Sequence, residues 1–92
     1  MSRTPEGTAA GALDEPARRT LWRCRRGMKE LDVLLERYAR GTLPGAGAAE
    51  LRIFDELLEL PDPLLAGYFL AGDTPPEAHL AQLVARIRTY VA

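Results

Sequence analysis

One cysteine, Cys24, and one histidine, His79, are all that this 92-residue chain offers of the residues most used in covalent and metal chemistry. A lone cysteine excludes an internal disulfide and fits a reducing compartment. One Cys and one His far apart in sequence make no metal-ligand set, and nothing beside either marks it as an activated nucleophile or base. Cys24 is expected to pack as a small apolar residue. Gly7 and Gly11 follow no strand, so the chain lacks a phosphate-binding loop. No apolar run approaches the roughly 20 residues that span a bilayer, and residues 1–13 lack the apolar centre of a signal peptide. An excess of one charge is missing as well. With 12 basic and 13 acidic residues the net charge is −1, which gives no global pull toward nucleic acid or membrane. These absences point to a protein of the cytoplasm, or of a comparable interior compartment, without direct membrane insertion.

What is present reads as helix. Residues 1–13, rich in Gly, Ala and Thr and without periodicity, are expected to form a disordered tail. Residues 14–92 then form one domain, too small for a deep enclosed active site. The expectation is all-α, a compact bundle of five short helices with no sheet.

The first helix is expected over residues 14–26, with Pro16 in its first turn and Gly27 as the left-handed residue behind its end. A second over residues 28–40 buries Met28, Leu31, Leu35 and Tyr38, with Leu34 beside them, and stops at Gly41. A loop at 42–47 leads to a third helix over 48–60, burying Leu51, Phe54, Leu57 and Leu58. Asp62 reads as the N-cap of a fourth, carrying Leu64, Leu65, Tyr68 and Phe69 and ended by Gly72. Thr74-Pro75-Pro76-Glu77 has the pattern of a capping box opening a fifth, which presents Leu80, Leu83, Val84, Ile87, Tyr90 and Val91.

Charge is balanced overall but not locally. Arg18, Arg19, Arg23, Arg25, Arg26 and Lys29 crowd one stretch, while acidic residues dominate 50–62. On the first helix Ala17, Leu21 and Cys24 share an apolar face, whereas Trp22 falls with Arg18, Arg25 and Arg26. Two readings of Trp22 stay open: an indole at the core's edge under arginine stems, or an anchor for a partner. The junction of the first two helices is open in the same way. Gly27 serves there as a helix breaker, with Glu30 and Asp32 balancing the dipole of the second helix, or the junction meets a partner.

The run from Leu21 to Asp32, with Arg26, Gly27, Met28, Glu30, Leu31 and Asp32 in order, resembles the Arg-Gly-x-x-Glu signature of the succinate dehydrogenase FAD assembly factors. Leu58, Asp62, Pro63 and Leu64 are similar to a second pattern of that family. A departure lies at Leu65 to Phe69, where family members often carry a polar residue and Trp. The resemblance covers roughly residues 18–90. It implies a chaperone-like protein, not an enzyme, that binds the flavoprotein subunit of succinate dehydrogenase, or of fumarate reductase. There it promotes covalent attachment of FAD to a client histidine. FAD is then the client's cofactor, and none is held stably by the factor. The implied client-binding residues are Trp22, Arg25, Arg26, Gly27, Met28, Glu30 and Asp32. The other class of function left by the residues is a small helical nucleic-acid-binding module using the basic cluster at 18–29. Overall acidity and the single-glycine junction weigh against it.

Overall fold

A computed structural model describes residues 13–91. The expected tail lies outside them except for Leu13, which packs against the core. Five α-helices are present among the described residues and no strand: α1 (Glu15–Arg23), α2 (Lys29–Thr42), α3 (Ala48–Leu58), α4 (Asp62–Leu70) and α5 (Ala78–Thr89).

α1 opens where its sequence signals it. Asp14 caps it, Oδ1 accepting from the Ala17 amide at 3.1 Å, and Pro16 sits in the first turn, where no N–H is needed. It ends three residues sooner than its periodicity suggests. The Cys24 and Arg25 amides close on the Leu21 and Trp22 carbonyls, each at 3.1 Å, in a tightened last turn. Gly27 has φ +89°, so the left-handed residue is where it was expected, but it belongs to a short link rather than directly to the helix end.

α2 passes through Gly41 instead of stopping there, and runs into a 3₁₀ turn at Leu43–Gly45. The glycine answers a packing need. The Tyr90 ring crosses the helix there, and a Cβ on Gly41 would overlap the Tyr90 hydroxyl and lie 2.6 Å from Cζ. Tyr90 also stands edge-on to Tyr38 at 5.3 Å between centroids, and Tyr38 to Phe54 at 5.8 Å.

Two caps read from the sequence do not form. Pro61, not Asp62, occupies the N-cap of α4, and Asp62 makes no capping bond. Thr74 caps nothing either, because α5 begins at Ala78 behind Glu77. A helix opening at Pro75 would put that residue, itself before a proline, in the helical region that such a position disfavours. The reach-back half of a capping box occurs instead at α3, where the Gly47 amide donates to Glu50 Oε1 at 2.8 Å.

The core gathers Cys24, Leu31, Leu35, Leu57, Leu65 and Ile87, all fully enclosed, with Phe54, Leu58, Tyr68, Phe69, Leu80, Leu83 and Val84 around them. α1 packs on α2 and α3, α2 on α4 and α5, and α5 also on α3 and α4. The stripes expected for α2, α3 and α5 face inward, with Met28, Leu34, Tyr38, Leu51 and Tyr90 half-buried at the rim. Leu64 of α4 is exposed, and Val91 lies beyond the end of α5 and is exposed too. Thr20, a polar residue on the same face as Ala17 and Cys24, is buried, its hydroxyl donating to Asp55 Oδ1 at 2.7 Å.

Candidate functional site

The link between α1 and α2 is built around Arg26. Its side chain is only 16% exposed and runs inward to the α3–α4 link. Nε donates to Asp62 Oδ1 at 2.8 Å, Nη1 to the Leu58 carbonyl at 2.9 Å and the Arg23 carbonyl at 3.0 Å, and Nη2 to the Leu60 carbonyl at 3.1 Å. This cation therefore closes the end of α1, the end of α3 and the start of α4 together. Its bonds to the Arg23 and Leu58 carbonyls satisfy acceptors that the ends of α1 and α3 leave without a helical amide. Glu30, four residues on, is not the partner of Arg26. Asp62 is, 36 residues away.

The backbone of the same link is held from the other side. Asp32, in the first turns of α2, accepts from the Arg26 amide at 2.9 Å through Oδ1 and from the Gly27 amide at 3.1 Å through Oδ2. Asp32 thus does more than balance a dipole; it clamps both amides of the turn. Met28 follows as the N-cap of α2, its side chain half-buried against the core. Gly27 lies at the corner with nothing within 4 Å of where a Cβ would be. It is exposed, left-handed and fixed by its neighbours.

Glu30 is exposed and makes no ion pair among the described residues. On α2 it precedes Val33, Leu34 and Arg37 at the i+3, i+4 and i+7 spacings of one helix face. That face and the end of α4 line an open groove of about 700 Å³, bounded by Lys29, Glu30, Val33, Leu34, Arg37, Phe69 and Leu70. Val33 is 50% exposed and Leu70 44%, so the groove has an uncovered apolar floor. The sequence reading missed it, because Leu70 comes from another helix and Val33 lies off the buried stripe.

Trp22 is 68% exposed, which decides between its two readings against the core. The Arg25 guanidinium lies over its ring at 5.0 Å and bridges to Glu36 at 3.3 Å. Glu36 and Glu30 are about 120° apart around α2, at about 100° per residue. The sequence-derived set therefore divides into a Trp22–Arg25 flank and a Glu30 flank, with Gly27 at the corner and Arg26 and Asp32 behind it.

The basic cluster is largely neutralised. Arg23 pairs with Asp55 at 3.2 Å, Arg18 with Glu15 at 3.0 Å, Arg25 with Glu36 and Arg26 with Asp62. Among the described residues of this cluster no stripe of unpaired cations for phosphates results. Cys24 is buried, and that burial, reinforced by the charge of Glu36, pushes its thiol pKa up to about 12, the reverse of an activated nucleophile. His79 is a surface residue of α5, Nε2 lying 3.0 Å from Glu56 Oε2. Among the described residues no group of three or more His, Cys, Asp or Glu is placed to hold a metal ion. No helix among them is long and apolar enough to cross a membrane.

Comparison with known proteins places the chain in a family. The model of the family described as flavinator of succinate dehydrogenase matches residues 18–91. The FAD assembly factor SdhE of Coxiella burnetii is 37% identical over 78 residues, which cover 83% of this chain and 95% of that protein. Those of Legionella pneumophila strain Paris and Pseudomonas aeruginosa are 41% and 39% identical over 70 residues, 76% of this chain and 87% and 83% of theirs. No solved structure matches. With nearly the whole described chain matched, this protein belongs to the flavinator of succinate dehydrogenase family.

Proposed function

We propose that this protein binds the flavoprotein subunit of succinate dehydrogenase and promotes covalent attachment of FAD to it, as an FAD assembly factor. The observation that carries the reading is the corner at Gly27: a left-handed residue with open space before it, braced from behind by Arg26 and Asp32 and flanked by exposed Glu30. A residue without Cβ lets the client backbone come close. Glu30, without an ion pair among the described residues, offers an exposed carboxylate to a client cation or amide. The groove of Val33, Leu34 and Leu70 extends the surface on one side of the corner, and Trp22 with Arg25 extends it on the other. Met28 supports the corner from below.

The role is assembly and not catalysis. The client supplies the histidine that becomes bonded to FAD, and the factor contributes by holding the client in an attachment-competent arrangement. It holds no FAD of its own stably, works in the cytoplasm, and serves the flavoprotein of fumarate reductase as well where that enzyme is made. The test is affinity purification from the native cell, with the gel read for flavin fluorescence under denaturing conditions. A co-purifying fluorescent flavoprotein subunit is expected. Retained nucleic acid without a flavoprotein would contradict the reading.

A further inference from the structure

We infer that Asp62, which lies outside the Arg-Gly-x-x-Glu signature, is a positioning residue for the client surface: through Arg26 it fixes the Gly27 corner in the form the client meets. This rests on the reading that Gly27 and Glu30 face the client. The α1–α2 link is held between two carboxylates from different helices. Asp32 of α2 takes the amides of Arg26 and Gly27, and Asp62 at the start of α4 takes Nε of Arg26. The other acceptors around the guanidinium, the carbonyls of Arg23, Leu58 and Leu60, are neutral. Among the described residues, Asp62 alone supplies counter-charge at hydrogen-bond distance to a side chain that is 84% shielded, the complement of its 16% exposure.

Asp62 is free for this because it does not cap α4; Pro61 holds that position. Its place in the first turn of α4 also suits a negative charge, since the helix dipole favours one there. Without it, the Arg26 cation is better served by water than by three carbonyls, and the link loses its brace on one side. The corner must then be ordered when the client binds, a cost that appears as weaker affinity.

The experiment measures affinity for the FAD-free flavoprotein subunit of succinate dehydrogenase by titration calorimetry, with amide spectra of the free factor beside it. Asp62→Ala is expected to weaken binding about tenfold, the scale of one charge-assisted hydrogen bond. The Gly27 amide resonance shifts while those of Leu57 and Ile87, in the core, stay in place. Asp62→Asn keeps an oxygen acceptor for Nε–H and recovers part of the affinity. It also serves in place of the alanine variant should that one fail to fold. Because Asp62 works through Arg26, adding Asp62→Ala to Arg26→Ala costs no further affinity. Losses that multiply in the double variant would instead mean that Asp62 touches the client itself, and would overturn the inference. So would wild-type binding by both Asp62 variants when Glu30→Ala has lost it. Glu30→Ala binding as wild type would overturn the client-surface reading on which the inference rests.

Discussion

Arg26, Gly27 and Glu30 stand together in sequence but have different physical work to do. The Arg26 guanidinium satisfies three carbonyls and a carboxylate inside the molecule, so its removal is first a matter of stability. Arg26→Ala is expected to cost about 2–3 kcal/mol, since charge-assisted bonds are lost and their acceptors left behind. For a domain of this size that lowers the melting temperature by roughly 10–20 °C, which calorimetry reads directly. Gly27→Ala meets no clash but must hold φ +89°, at about 1 kcal/mol. Glu30→Ala, exposed and unpaired among the described residues, is expected to stay within about 0.5 kcal/mol of wild type. A melting temperature for Arg26→Ala equal to that of Glu30→Ala would remove Arg26 from the interior. Cys24 gives a pH prediction of its own. Its thiol stays protonated up to about 12 when folded, against an ordinary thiol value of 9.0. The folded state therefore keeps a proton that the unfolded state has released, and stability falls as pH rises from 9 toward 12. Below pH 9 both states are protonated and Cys24 contributes no pH dependence. At neutral pH, alkylation of Cys24 should require unfolding, and rapid labelling of native protein would contradict its burial.

At the scale of the helix, what could be read in the sequence was whatever repeats locally. The number of helices and the inward stripes of α2, α3 and α5 follow from apolar spacing within a dozen residues. The ends did not follow from those stripes. Asp62 looked like a cap from its neighbours, yet its carboxylate belongs to a residue 36 positions earlier. α1 and α3 stop where Arg26 takes their carbonyls, and Thr74 loses its cap to consecutive prolines. Gly41 is the sharpest case. By propensity it should end a helix, but it sits inside α2 because Tyr90, 49 residues on, needs the room. This gives a test with a change of sign. Gly→Ala within a helix ordinarily stabilises by about 1 kcal/mol, but Gly41→Ala should lower the melting temperature by displacing the Tyr90 ring. In a Tyr90→Ala background the same substitution should raise it. Stabilisation in both backgrounds would mean that Tyr90 does not pack on α2.

Across the whole molecule, the fold and the stretch of chain that holds the candidate site were legible, while the division of that candidate site into a brace and a surface was not. The signature places Arg26, Gly27 and Glu30 within one turn of chain, which suggests three contacts on one face. The fold turns Arg26 inward, leaves Gly27 at the corner and sets Glu30 over a groove formed only when α4 packs on α2. A small helical domain without an activated nucleophile among its described residues can still speed a reaction if its partner carries the chemistry and it supplies the arrangement. The measurement closest to that claim uses cells in which the only copy of this protein carries Glu30→Ala. It compares covalent flavin fluorescence of the succinate dehydrogenase flavoprotein subunit with that in wild-type cells, alongside the melting temperature of the purified variant. The account predicts that covalent flavin is largely lost while the melting temperature stays within about 4 °C of wild type. Full flavinylation in those cells would contradict it.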